Sequence, residues 1–140
     1  MKSKRYIVYF GYYNVYGNTT KIGKTEYLYG RMCNYNTSHP FKDFKAYFLI
    51  EVDEEYLDEL EQICLDAYDH AKARHSCEYK HRNEDNEWIM KRPTRDEIEQ
   101  MLFNNNIPFE YKILSEEEIY EVEKEIRKIE DKQRKEKKKR

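Results

Sequence analysis

The sequence is poor in the residues that mark several classes of protein. Its 140 residues include only three prolines, four glycines and three cysteines. The four glycines are spread apart, so the sequence contains neither a Walker-type phosphate loop nor a dinucleotide-binding fingerprint. An odd number of widely spaced cysteines argues against the disulfide framework of a small secreted domain.

Long apolar runs are missing as well. No stretch approaches the roughly 20 consecutive apolar residues that a membrane-spanning helix needs. The basic N-terminus leads into a strand-like run with no apolar signal-peptide region between them. We therefore expect a soluble chain without a membrane partner, located inside the cell, in the cytoplasm or nucleus of a host.

Aromatic residues and charges are plentiful instead. Fourteen tyrosines help to bring the aromatic content to 15%, which supplies apolar area for the core of one domain. The net charge of −2 conceals +6 over residues 1–50, −14 over 51–131 and +6 over 132–140. The two basic segments are suited to meet phosphate groups, although the alternative is that they only solvate the surface.

The residue patterns of the first half predict an α+β fold. Runs of β-branched and aromatic residues predict strands at 5–13, 20–23 and 44–52, with a turn at Gly17-Asn18 between the first two. A short helix is predicted near 26–34. Apolar residues at three-and-four spacing predict a longer helix over 53–73, capped by Asp53.

The second half is predicted to contain two further helices. Capping boxes of Thr94 with Glu97 and of Ser115 with Glu118 begin helices at 95–104 and 116–135, with an edge strand within 109–114 between them. The last helix carries an apolar stripe of less than two heptads, which favours docking on its own domain over a coiled coil. We divide the chain into a domain over 1–114 and a charged helix with a basic tail over 115–140.

Glu61 departs from the charge pattern of the helix predicted at 53–73. Most acidic residues there fall on the solvent side, but Glu61 has Leu57, Leu65 and Tyr68 at helical spacing. Burying an unpaired carboxylate costs roughly several kcal/mol. Glu61 is therefore either an edge-of-core residue that snorkels or pairs with a nearby Arg, or an inward-aimed acid/base or ligand of a hard cation such as Mg²⁺.

A second group of chemistry-bearing residues lies in the first fifty positions. A tyrosine-rich hairpin leads into Lys21-Ile22-Gly23-Lys24-Thr25, and Arg31 follows. Tyr and Lys accept protons when nearby cations or burial lower their pKa values, and Arg holds a phosphate oxygen in a two-pronged fork. Together with a metal at Glu61, these groups suffice for phosphodiester hydrolysis. Most of the tyrosines are expected to pack in the core.

The order and spacing of these residues resemble the GIY-YIG nuclease superfamily. Ile7-Val8-Tyr9 corresponds to the first motif, Lys21-Ile22-Gly23 to the second, and Arg31 follows eight positions after the glycine. Leu60-Glu61 and Glu87-Trp88-Ile89 continue the series, so the similarity covers most of the chain. A second motif that reads Lys-Ile-Gly-x-Thr is similar to a phage- and virus-associated branch that is often regarded as DNA-binding.

The resemblance implies a small three-stranded antiparallel sheet flanked by helices, and a metal-dependent endonuclease that hydrolyses DNA. Its catalytic roles fall on Tyr9, Lys21, Arg31 and Glu61. The first two would lie near the attacking water, Arg31 would contact the scissile phosphate, and Glu61 would hold one Mg²⁺ or Mn²⁺. DNA is the expected partner, with RNA as the alternative, and further nucleic-acid contacts are expected from Lys24, Asn36 and His39.

Two other functions remain open. Ile7 and Lys21 stand where the family motifs have Gly and Tyr, so a non-catalytic DNA-binding module on the same fold is the main alternative. A protein-interaction module is the third, using the acidic surface and the last helix, with a partner or a second copy bound through 115–135. The spacing of the cysteines and histidines from Cys64 to His81 fits no standard zinc site.

Overall fold

The computed structural model describes residues 4–13, 17–26, 44–69 and 88–138. These residues form an antiparallel sheet with the strands β1 (Ile7–Tyr13), β2 (Thr20–Thr25), β3 (Phe44–Val52), β4 (Trp88–Ile89) and β5 (Tyr111–Ile113). The helices in the described ranges are α1 (Leu57–Ala67), α2 (Arg95–Asn104) and α3 (Glu116–Lys138). The predicted α+β class is confirmed.

The sheet has five strands in the order β4-β2-β1-β3-β5, rather than the three that we predicted. The three long strands are the predicted ones, and a short strand is added at each edge. With two residues, β4 is too short for an alternating pattern to reveal its place in the sheet. The edge strand predicted within 109–114 is confirmed by β5.

Side chains of the central strand β1 alternate between two apolar clusters. Ile7, Tyr9 and Tyr13 pack with residues of α3, on what we call the α3 face of the sheet. Val8 and Phe10 pack with residues of α1 and α2, on the α1 face. The core therefore consists of two layers with the sheet between them.

Helix α3 docks on the sheet through the apolar stripe seen in the sequence. Ile119, Val122 and Ile126 are buried, and the partly buried Ile129 packs against the same cluster. Docking of the last helix on its own domain is thus confirmed. Because the stripe is packed against the sheet, its buried residues are not an exposed apolar surface for a partner protein or a second copy. None of the described helices is long and apolar enough to cross a membrane.

Both predicted capping boxes are present, so α2 and α3 begin where the sequence places them. At α2, the Glu97 N–H donates to the Thr94 hydroxyl and the Thr94 N–H donates to the Glu97 carboxylate. Ser115 and Glu118 form the same reciprocal pair at α3.

Helix α1 begins differently from the prediction. A 3₁₀ turn over Glu54–Tyr56 precedes it, and the Asp53 side chain makes no capping hydrogen bond. Asp53 is thus the N-cap residue, as predicted, but it caps the 3₁₀ turn through its backbone carbonyl, which accepts from the Tyr56 N–H. The continuation of this helix to 73 and most of the predicted helix at 26–34 lie outside the described residues.

Contacts at the start of α3 are expected to give Glu118 an unusually low pKa. The Lys112 ammonium donates to its carboxylate at 2.9 Å and the Ser115 N–H donates at 3.0 Å, which together lower the pKa of Glu118 to about 2. Since this pKa lies below the ordinary value of 4.5, the associated stability is present above pH 4.5 and is lost as the pH falls through about 2. Lys112→Met should raise the pKa of Glu118, as measured by an NMR titration of its side-chain carboxyl.

Lys132→Met provides the control, because Lys132 is an exposed lysine in the last turns of the same helix. It should leave the Glu118 titration unchanged. Equal titration curves for Glu118 in the wild type and in Lys112→Met would contradict the assignment of the low pKa to this ion pair.

Candidate functional site

Strands β1 and β2 bring Tyr9 and Lys21 onto the same face of the sheet. Tyr9 lies opposite Gly23, and Gly11 lies opposite Lys21, so all four belong to the α3 face. Tyr9 and Lys21 are each only 1% exposed. The two residues predicted to act beside an attacking water are therefore neighbours in space, but they are buried on the face that α3 covers.

Gly23 is required by the packing of Tyr9. A Cβ atom at position 23 would overlap the Tyr9 phenol and would lie only 2.6 Å from its Cζ. The ring has little room to move, because it is buried and packs edge-on against Phe44 with the centroids 6.3 Å apart. The glycine of the second motif is thus explained by close packing across the hairpin.

Lys21 is buried beside an aromatic ring. Its ammonium lies 5.7 Å from the centre of the Trp88 ring, within the range of a cation–π interaction. The pairing of β2 with β4 produces this contact, since Lys21 and Trp88 are opposite each other. The electrons of the ring face help to stabilise a cation that has almost no contact with solvent.

Glu61 lies on the other side of the sheet. Helix α1 packs on the α1 face through Leu60, Cys64 and Leu65, and Glu61 is beside this contact with its side chain 14% exposed. The sheet therefore separates Glu61 from Tyr9 and Lys21. Of the predicted catalytic residues in the described ranges, Tyr9 and Lys21 thus lie on one face of the sheet and Glu61 lies on the other.

Lys24 joins Glu61 to Asp58. Its ammonium donates to Asp58 Oδ1 and lies 3.7 Å from Glu61 Oε1. The hydrogen bond to Asp58 and the negative charge of Glu61 raise the pKa of Lys24, while partial burial opposes them. Of the two interpretations of Glu61, the structure favours the paired edge-of-core carboxylate, with Lys24 as a cationic partner.

The residues around Glu61 do not fit a resident Mg²⁺ ion. Mg²⁺ is held through one or two carboxylates, with water and phosphate oxygens completing its shell. Glu61 and Asp58 could supply the carboxylates, but the Lys24 ammonium already lies against both. No group of three His, Cys, Asp or Glu side chains suited to a metal occurs in the described ranges.

Three of the predicted site residues are not among those that the structure describes. Arg31, Asn36 and His39 lie outside the described residues, as do the histidines from 70 to 81. Cys64 is buried, and burial raises the pKa of its thiol to about 12, which keeps it protonated at neutral pH.

No role for Asp58 was predicted from the sequence, and its side chain, although 85% exposed, accepts a hydrogen bond from Lys24. Asp58 lies three residues before Glu61, so both carboxylates are on one side of α1. This spacing indicated that the two could share a cation. The cation itself comes from β2, 34 residues earlier in the chain.

Sequence reasoning also missed two arginines that hold the end of the hairpin and the start of α2. The Arg92 guanidinium stacks 3.7 Å from the centre of the Tyr12 ring and donates to the Thr19 carbonyl. Arg95 donates to the carbonyls of Tyr47 and Leu114. Both guanidinium groups donate to backbone carbonyls within the domain, so these two arginines stabilise the fold.

No family model, no curated protein and no solved structure matches the chain.

The contact between Gly23 and Tyr9 predicts a substitution effect. Gly23→Ala should destabilise the fold by about 1–3 kcal/mol, because the added methyl group overpacks a site that has no free volume. Urea unfolding followed by circular dichroism measures this change.

A double-mutant cycle supplies the control. In a Tyr9→Leu background the phenol is gone, so Gly23→Ala should cost much less than it does in the wild type. If Gly23→Ala lowers the free energy of unfolding equally in the two backgrounds, the Tyr9 phenol is not what excludes a side chain at position 23.

Proposed function

We propose that the protein is a nucleic-acid-binding domain whose partner is DNA. The observation that carries this proposal is the construction of α3, which is anchored on the sheet through its first half and is strongly basic at its end.

The anchor fixes the direction in which α3 leaves the domain. Ile119, Val122 and Ile126 are buried on the α3 face, and Ile129 is the last residue of the stripe to contact the core. The helix continues to Lys138, which at 1.5 Å per residue is about 14 Å beyond Ile129. Lys132 and Lys135 in this extension are exposed.

The part of α3 beyond Ile129 carries more positive charge than is required to complement the helix dipole. We call residues 132–138 the basic arm; it contains five basic residues and one acidic residue. Cations near a helix C-terminus complement the helix dipole, but that effect is confined to the last turn. Over the two turns of the arm, like charges at three-and-four spacing repel one another, and the phosphates of a nucleic acid relieve that repulsion.

The resemblance to the GIY-YIG superfamily supports DNA as the polyanion. In keeping with that resemblance, the first-motif tyrosine and the second-motif residues pack against each other across the β1–β2 hairpin. The Lys-Ile-Gly-x-Thr form of the motif is similar to the branch regarded as DNA-binding. Binding is favoured over cleavage because Tyr9 and Lys21 are buried and lie across the sheet from Glu61.

Removal of the arm's charge tests the proposal in the full-length chain. Replacing Lys132, Arg134, Lys135 and Lys137 by Gln should weaken binding to a fluorescein-labelled duplex and reduce its salt dependence. Loss of four phosphate contacts would lower the slope of log K against log[salt] by about 3 to 4. Fluorescence anisotropy at a series of salt concentrations measures both quantities, and a single-stranded RNA of equal length tests the alternative ligand.

The matched control neutralises basic residues in the docked part of the same helix. Lys124 and Arg127 have acidic partners at Glu121 and Glu123, so Lys124→Gln with Arg127→Gln should change the slope little. An equal loss per removed charge in the two variants would mean that overall charge, not the arm, governs binding. Absence of DNA binding by the wild type would reject the proposal and favour the protein-interaction alternative.

Metal-dependent DNA cleavage is the second candidate function. It is favoured by the placement of Tyr9 and Lys21 as diagonal neighbours on one face of the hairpin, which is in keeping with the nuclease resemblance. Nicked, branched and linear DNA should remain intact when incubated with saturating protein and Mg²⁺ or Mn²⁺, if the binding proposal is right. Cleavage by the wild type that disappears in Tyr9→Phe, Arg31→Ala and Glu61→Gln would establish the endonuclease instead.

A further inference from the structure

We infer that the Lys24 ammonium is a built-in cation that occupies the position of a divalent metal between Asp58 and Glu61. On this view the wild-type chain does not bind a metal through Glu61, and removing the ammonium creates a divalent-cation site. The inference goes beyond DNA binding and does not depend on it.

The geometry brings three charged groups together from two elements. Asp58 and Glu61 are three residues apart on α1, so their carboxylates lie on the same side of the helix. Lys24 reaches them from β2, with its Nζ hydrogen-bonded to Asp58 Oδ1 and 3.7 Å from Glu61 Oε1. The contact between α1 and β2 is thus made by an ion pair as well as by apolar side chains.

The two carboxylates differ in their access to water. The Asp58 side chain is 85% exposed, whereas that of Glu61 is 14% exposed. Water compensates much of the charge of Asp58, but Glu61 has lost most of its hydration and gains from a nearby cation. One withdrawn carboxylate and one open carboxylate are also a suitable pair for a partly hydrated divalent ion.

Lysine and metal exclude each other at this position. A divalent ion in contact with both carboxylates would lie within about 4 Å of the ammonium, where like charges repel strongly in a partly desolvated site. The lysine is tethered to β2, so it does not have to be recruited from solution as a metal ion does. The Lys24 ammonium therefore remains between the two carboxylates, and a metal ion can bind there only when the charge of Lys24 is removed.

Mn²⁺ titration of the full-length chain tests this inference, with the free ion followed by its electron paramagnetic resonance signal. Lys24→Met should bind Mn²⁺ about ten-fold more tightly than the wild type or better, since a unit charge at short range is removed. Lys24→Met combined with Glu61→Gln should lose the gain. Lys24→Arg keeps a cation in place and should bind Mn²⁺ as weakly as the wild type does.

Lys91→Met is the matched control. The Lys91 side chain is 40% exposed, like that of Lys24, and it also lies near a carboxylate, 3.9 Å from Glu97. An equal gain in Lys91→Met and Lys24→Met would overturn the inference, because it would show a general effect of net charge. Tight Mn²⁺ binding by the wild type that is lost in Glu61→Gln would also overturn it, as would the absence of a gain in Lys24→Met.

Discussion

Strand β1 runs through the middle of the sheet with helices on both sides, and Ile7, Val8 and Phe10 have no exposed surface at all. Since successive side chains of a strand point to opposite faces, each residue of the hairpin belongs to one layer of the core or the other. Tyr9 belongs to the α3 layer, and Lys24 on the neighbouring strand belongs to the α1 layer. This alternation places Tyr9 and Lys21 on the α3 side of the sheet, whereas Glu61 lies on the side where α1 packs.

Local patterns in the sequence were sufficient for much of the fold. The capping boxes of Thr94 and Ser115 correctly predicted the first residues of α2 and α3, because each box lies within four consecutive residues. The apolar stripe of α3 correctly predicted that this helix docks on the domain. In both cases the information is contained in one short segment, where helix periodicity and capping are physical properties of the segment itself.

Contacts between distant segments could not be predicted in the same way. No local pattern indicates that the Lys24 ammonium meets Asp58, which is 34 residues further along the chain. Nor does a two-residue strand such as β4 show in its sequence that it will pair with β2 and place Trp88 beside Lys21. The apolar setting of Glu61 was correctly recognised, but its partner depends on how α1 crosses the sheet.

Helix α3 connects the core with the proposed function, since one segment covers the buried Tyr9 and carries the basic arm. Amide hydrogen exchange, measured with and without a saturating DNA duplex, tests this account most directly. The account predicts slower exchange over residues 132–138 in the complex, with no change over 7–13, 20–25 or 116–129. Slower exchange in the hairpin together with faster exchange over 116–129 would contradict it, because the helix would then leave the sheet and expose Tyr9 and Lys21 to DNA.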